Sequence, residues 1–292
     1  MMILRILQLM FTRLQGENWI PQIVDDVKLP GIILLGGSRL KRWGLREECI
    51  TRLLFESGGR VSEVIGLTLG DWYSRGLLRE ANAFSKGSNG RRVKFLRWNN
   101  ETSKLLQRYF DTERRKHDPN GYRLEDYLKL NHKKKIDLLS VPLFLTNRGT
   151  VYTSKTYREN YWNPACRNAG IDADVHQARH WYVTMSMRTI YETSHTNADV
   201  QRRLRELIEY MKWKKGWEMI EVYQHYFDVQ RHLEIQDKVH NLMEQSKKEA
   251  LNRGKSANVS HGKTKNEQML VDPQQLVLND DFNFLMEIGG VK

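Results

Sequence analysis

Four separated clusters in this chain carry side chains able to do chemistry. Gly59-Arg60-Val61-Ser62-Glu63 sets a permanent cation three residues before a carboxylate. Lys86 stands in the turn Ser85-Lys86-Gly87. His176-Gln177-Ala178-Arg179-His180 places two imidazoles around a guanidinium. Trp213 precedes Val222-Tyr223-Gln224-His225, which offers an indole donor and then a phenol. Guanidinium groups stay charged and present a planar fork of donors to an anion. A phenol has a reference pKa of about 10, so it attacks only if a base takes its proton or cations surround it.

Each cluster taken singly has an ordinary structural reading. Arg60 and Glu63 could be a surface ion pair one turn apart, worth about 0.2–0.5 kcal/mol. Lys86 could be solvated. His176 and His180, four apart on a helix, lack the intervening glutamate of zinc hydrolases. Tyr223 and Trp213 could be core residues.

The elements that would position these groups follow from periodicity. REECITRLLFESGG puts Cys49, Ile50, Leu53 and Leu54 on one helical face, and Gly58-Gly59 ends that helix. RVSEVIGLTLGDW follows as a second short helix with Val61, Val64 and Ile65 inward. LLREANAF and RRVKFLRW flank SKGSNG, whose Asn89-Gly90 marks a hairpin turn. NETSKLLQRYFDTERRK returns to helix, and DPNGYRLEDYLKLNHKKKID reads as a polar surface excursion. TSKTYRENYWNPACRNAG is helical up to about Pro164, and a new helix starts behind Asp174. Val200, Leu204, Leu207, Ile208 and Met211 recur at helical spacing, and helical character continues through the Tyr223 region. The fold class expected is mainly α with a small antiparallel β-hairpin.

The 292 residues carry 47 Lys plus Arg against 35 Asp plus Glu, a formal charge of +12. That excess favours a polyanionic partner, because each cation at a phosphate releases counterions. Ribosomal proteins, nucleases and membrane-surface proteins share it. Cys49 and Cys166 form no CxxC pair, which argues against a disulfide framework or zinc ribbon and for a reducing, cytoplasmic location. The opening MMILRILQLMFTRLQ is too short and too interrupted by Arg5 and Arg13 to span a bilayer. No P-loop motif and no Asp/Glu metal cluster is legible.

Together and in order, the clusters resemble the tyrosine recombinase family, which includes phage integrases and transposases. The resemblance runs from about Arg46 to His225, through GGRVSEVIGLTLGDW, the hairpin FSKGSNGRRVKFL, VHQARHWYVT, Trp213 and Tyr223. It implies cleavage and rejoining of double-stranded DNA through a 3′-phosphotyrosine, with no cofactor and no metal. Tyr223 is then the nucleophile, with Tyr226 as competitor. Arg60 and Arg179 hold the phosphate, His176 takes or organises the phenol's proton, and Lys86 protonates the leaving 5′-oxygen. Trp213 donates to the phosphate, while Glu63 and His180 support these groups from behind. Arg91, Arg92, Lys94, Lys155, Arg158, Lys212, Lys214 and Lys215 would contact the duplex. The requirement is spatial: both arginines must face one phosphate, with the Tyr223 hydroxyl in reach.

The resemblance also organises the chain. Residues 1–40 are a short N-terminal segment, a candidate remnant of the family's DNA-clamping domain. Residues 41–245 form the catalytic domain, with an inserted loop expected around Tyr191–Asn197. Residues 246–292 are a flexible linker and an interaction tail, through which a homo-oligomer would assemble on DNA. Two other readings of the same motifs are an inactive DNA-binding remnant and a type IB topoisomerase-like enzyme.

Overall fold

The computed structural model describes residues 25–85, 88–89 and 91–257. The opening run, Lys86 and the apolar stretch LVLNDDFNFLMEI lie outside the described residues. The chain divides into two compact units, one ending at Arg231 and the other starting at His232.

In the first unit, α1 (Leu29–Ser38) forms within the stretch taken from sequence as a short N-terminal segment. Pro30 sits at the second helical position, where no backbone donor is needed, so it starts this helix instead of breaking it. α1 lies on a later helix, with Ile33 fully buried and Gly36 against the Ala165 carbonyl. Its Leu29 and Ile33 belong to the larger apolar cluster of this unit. α2 (Leu45–Ser57) buries the expected Cys49, Ile50, Leu53 and Leu54 and ends at Gly58 in the left-handed conformation. The second expected helix is two: α3 (Val61–Ile65) and α4 (Leu69–Tyr73), the latter capped by Thr68. Val64 and Ile65 are buried as expected, while Val61 is half-buried.

The hairpin forms as an antiparallel pair of β1 (Glu80–Ala83) and β2 (Lys94–Arg97), with Ala83 opposite Lys94. α5 (Asn100–Tyr109) continues through a π-helical turn (Phe110–Arg114) into α6 (Arg115–His117). The presumed surface excursion contains α7 (Leu124–His132), which buries Tyr127. The Tyr127 hydroxyl donates to Asp118, which also pairs with the buried Arg114 at 2.6 Å. The chain then threads a 3₁₀ turn (Leu138–Ser140) and buries Leu143 and Phe144. α8 (Ser154–Tyr157), a second π-helical turn (Arg158–Trp162) and α9 (Asn163–Ala169) run on past Pro164. Pro164 follows the π turn at the start of α9, so its missing donor does not stop the helix.

α10 (Gln177–Thr193) and α11 (Asn197–Met211) are joined by only Ser194, His195 and Thr196. The loop expected around Tyr191–Asn197 is thus only these three residues, with Tyr191 inside α10 and Asn197 starting α11. α12 (Gly216–Ala257) carries helix eleven residues beyond Ser246, where a linker was expected. The fold is thus mainly helical with one small antiparallel sheet.

Two apolar clusters build the first unit. The larger joins α1 to α9 around Trp72, Trp98 and Trp162. The smaller packs Val183, Met187 and Ile190 of α10 with Leu204, Leu207 and Met211 of α11 and Ile220 and Tyr223 of α12. Among the described residues no helix is long and apolar enough to cross a membrane.

The α1–α9 contact gives a direct prediction. A side chain at Gly36 would collide with the Ala165 carbonyl and the Ala169 methyl. Gly36→Val should cost roughly 1–3 kcal/mol, as overpacking does. A urea midpoint equal to wild type would show that α1 does not pack there.

Candidate active site

The candidate residues gather where the two apolar clusters meet. Gly58 ends α2, and Arg60 follows at the entrance to α3. The Arg60 backbone N–H donates to Glu63 Oε2 at 3.0 Å, and its guanidinium donates to Glu63 Oε1 at 2.7 Å. Glu63 is fully buried and also receives the Lys94 ammonium at 2.9 Å. Burial opposes ionisation of Glu63, but Lys94 and the bonds from Arg60 outweigh it and hold the carboxyl below its ordinary value. Arg60 itself keeps 26% of its side chain exposed.

Lys94 was expected among the duplex contacts on the outer surface. Its side chain is instead 1% exposed and lies on the inner face of β2 with Leu96. Residues two apart on a strand share a face, so KFLR held this signal: if Leu96 points in, so does Lys94. Burial lowers the Lys94 ammonium, Glu63 opposes this and Arg179 adds to it, leaving it at about 8.

Arg179, in the first turn of α10, is 4% exposed. It donates to the Gly58 carbonyl at 2.7 Å and to the Met211 carbonyl at 3.1 Å. Both carbonyls stand at helix C-termini, where unpaired acceptors and the helix dipole favour a cation. One guanidinium thus holds the ends of α2 and α11 against α10. Burial, and after it the neighbouring Arg60, lower its pKa to about 10. Trp213 follows the left-handed Lys212, and its ring lies 5.9 Å from the Arg179 guanidinium carbon.

Tyr223 lies on α12 with its ring 1% exposed. Its hydroxyl is 2.7 Å from His180 Nδ1. Burial raises the phenol's pKa well above its ordinary value, although Arg179 pulls the other way. His180 is thereby in direct contact with the candidate nucleophile, a closer place than its expected supporting role. Burial, His176 and Arg179 push the His180 pKa down to about 4. His176 stands at the exposed rim, its ring 5.0 Å from His180. Partial loss of solvent lowers its pKa too, with Arg179 and then Arg60 adding to the effect. Tyr226 lies one turn further along α12.

The structure therefore brings Arg60, Glu63, Arg179, His176, His180, Trp213 and Tyr223 together, with Lys94 added. Three cations (Arg60, Lys94 and Arg179) face one buried carboxylate, and both imidazoles are held neutral. The open phenol is not seen: Tyr223 is sealed in the smaller apolar cluster. Of the expected duplex contacts, Arg91, Lys155, Arg158, Lys212 and Lys214 are exposed. Lys215 is exposed and pairs with Glu218 at 3.0 Å, and Arg92 is committed to the buried Asp71. Among the described residues no group of His, Cys, Asp and Glu is arranged to hold a metal ion.

No protein-family model matches the chain, and no curated protein matches it. Among solved structures, the crystal structure of XerA recombinase superimposes with a TM-score of 0.44 at 18% identity. That alignment covers 73% of this chain and 61% of the recombinase.

Two outcomes follow from the site's electrostatics. Glu63→Gln leaves Lys94 buried beside Arg179 without its carboxylate, so it should destabilise by about 3–5 kcal/mol. Adding Lys94→Met should restore much of the loss in a denaturant melt, and strict additivity would count against the pairing. His180 binds its proton less readily folded (about 4) than at its ordinary 6.5. As pH falls, the unfolded chain is protonated first. Stability present above about 6.5 is therefore lost progressively between about 6.5 and 4, with His176 adding in the same sense. Thermal melts across that window should show a smaller drop in His180→Gln than in wild type.

Proposed function

We propose that this chain is a tyrosine-type DNA strand transferase, acting in site-specific recombination, integration or transposition. The observation that supports the reading is that Arg179 stands close enough to feel both Arg60 and the Tyr223 phenol. These groups come from the start of α3, the start of α10 and the first turns of α12, far apart in sequence.

The chemistry follows from the residue types. Attack of a phenolate on a phosphodiester builds negative charge on the non-bridging oxygens. Arg60 offers its exposed edge, and Arg179 retains N–H groups beyond the two given to carbonyls. Donors fixed in advance at developing charge are commonly the largest catalytic contribution. Trp213 adds an indole donor. Lys86 is the candidate acid for the departing 5′-oxygen. The covalent phosphotyrosine conserves the bond, so another 5′-hydroxyl can reverse the attack without ATP. Exposed Arg91, Lys155, Arg158, Lys212 and Lys214 would follow the duplex backbone.

Self-association on DNA is part of the same proposal. The second unit exposes Leu233, Ile235, Val239, Leu242 and Met243 along α12, apolar area that a neighbouring subunit could cover. A second reading, DNA binding without strand transfer, draws on the sealed position of Tyr223.

Nicked duplexes drawn from the DNA flanking the gene separate the two. Wild type and Tyr226→Phe should form a covalent protein–DNA adduct, and Tyr223→Phe should form none. Arg60→Ala should slow adduct formation on the order of 10²–10³-fold. Duplex binding with no adduct in wild type would select the second reading.

A further inference from the structure

We propose that His180, and not His176, takes the phenolic proton of Tyr223, and that the bound phosphodiester switches His180 on as a base. This rests on the strand-transfer reading above.

The geometry gives the partner. Tyr223 Oη lies 2.7 Å from His180 Nδ1, and among the described residues it has no other hydrogen-bond partner. A buried hydroxyl proton without an acceptor costs about 1–3 kcal/mol, so the proton points at Nδ1. That fixes the neutral tautomer, with the ring proton on Nε2 and the lone pair on Nδ1. His176 contacts the His180 ring, and the structure shows no bond from it to Tyr223.

The charges around the pair explain the switch. His180 faces Arg179, His176 and Asp174 from its own end of α10, and Tyr223 from α12. Without an anion, loss of solvent, then His176 and Arg179, keep the imidazole neutral, and burial keeps the phenol protonated. Transfer of the proton is then strongly uphill. A phosphodiester between Arg60 and Arg179 brings negative charge beside the same imidazole. It offsets the cations that oppose protonation, so His180 becomes more basic when the target arrives.

The step balances. The Tyr223 O–H bond breaks and its proton passes to His180 Nδ1. The freed electron pair forms the Oη–P bond. The P–O5′ bond breaks, and its electron pair leaves on the 5′-oxygen, which the acid protonates. On reversal the imidazolium returns the proton to the phenol.

The test uses the full chain on nicked duplexes from the DNA flanking its gene, reading adduct formation against pH. His180→Gln should slow the reaction on the order of 10²–10⁴-fold and remove the acidic limb of the profile. His176→Gln should keep that limb. Fluorotyrosine at position 223, a more acidic phenol, should recover part of the His180→Gln loss, which a purely structural histidine would not allow. An adduct at Tyr223 in wild type, with His180→Gln keeping its rate and profile, overturns the proposal and leaves strand transfer standing. Absence of any adduct in wild type removes strand transfer itself. Imidazole nitrogen NMR of unmodified protein supplies an arm independent of turnover and of variant folding. Duplex DNA should raise the pH at which His180 titrates, and an unchanged titration overturns the switch.

Discussion

Arg179 is the hinge of this structure in the energetic sense. Its guanidinium is nearly sealed from solvent and gives two of its donors to the carbonyls of Gly58 and Met211. A buried cation is tolerated only where acceptors compensate it, and the ends of two helices provide them. The arrangement fixes α2, α10 and α11 relative to one another. It also sets Gly58 two residues before Arg60 and Met211 two residues before Trp213. Two of the candidate groups therefore take their positions from one side chain. Gly58 fits this junction because its left-handed backbone and missing side chain leave room for the Tyr182 ring.

Around that junction, charge is distributed unevenly. Glu63 bonds Arg60 and Lys94, while Arg179 feels the same carboxylate but gives its hydrogen bonds to backbone carbonyls. The remaining positive character has no protein counterion among the described residues of the cluster. Preorganisation of this kind is maintained by the rest of the fold, whose two apolar clusters meet here. The neutral imidazoles are a consequence: next to guanidinium groups and away from water, neither gains a proton readily. Fold, electrostatics and candidate chemistry are in this sense one arrangement.

Much of the site was legible because its members lie at element starts. The glycines before Arg60 and the helix behind Asp174 locate both arginines at helix entrances. Periodicity placed Cys49, Leu53 and Leu54 in the core and paired the hairpin strands. Other elements were misread for identifiable reasons. Pro30 and Pro164 look like breakers, yet both occupy first-turn positions where proline fits. α7 is polar on most of its surface and buries only Tyr127, so its pattern resembled a loop. The length between Arg179 and Trp213 went into the helices, since Ile190, Leu204 and Leu207 extend a shared apolar seam. The contact between His180 and Tyr223 had no sequence signal, because nothing local specifies how the first turns of α12 meet α10.

The burial of Tyr223 beside Ile220 has a consequence for timing. Withdrawing an aromatic ring and its aliphatic neighbour into water costs roughly 3 kcal/mol or more. A free molecule would then present its phenol less than about one per cent of the time. On the strand-transfer proposal, a chance encounter with DNA meets a hidden phenol, and the energy to expose it must come from binding.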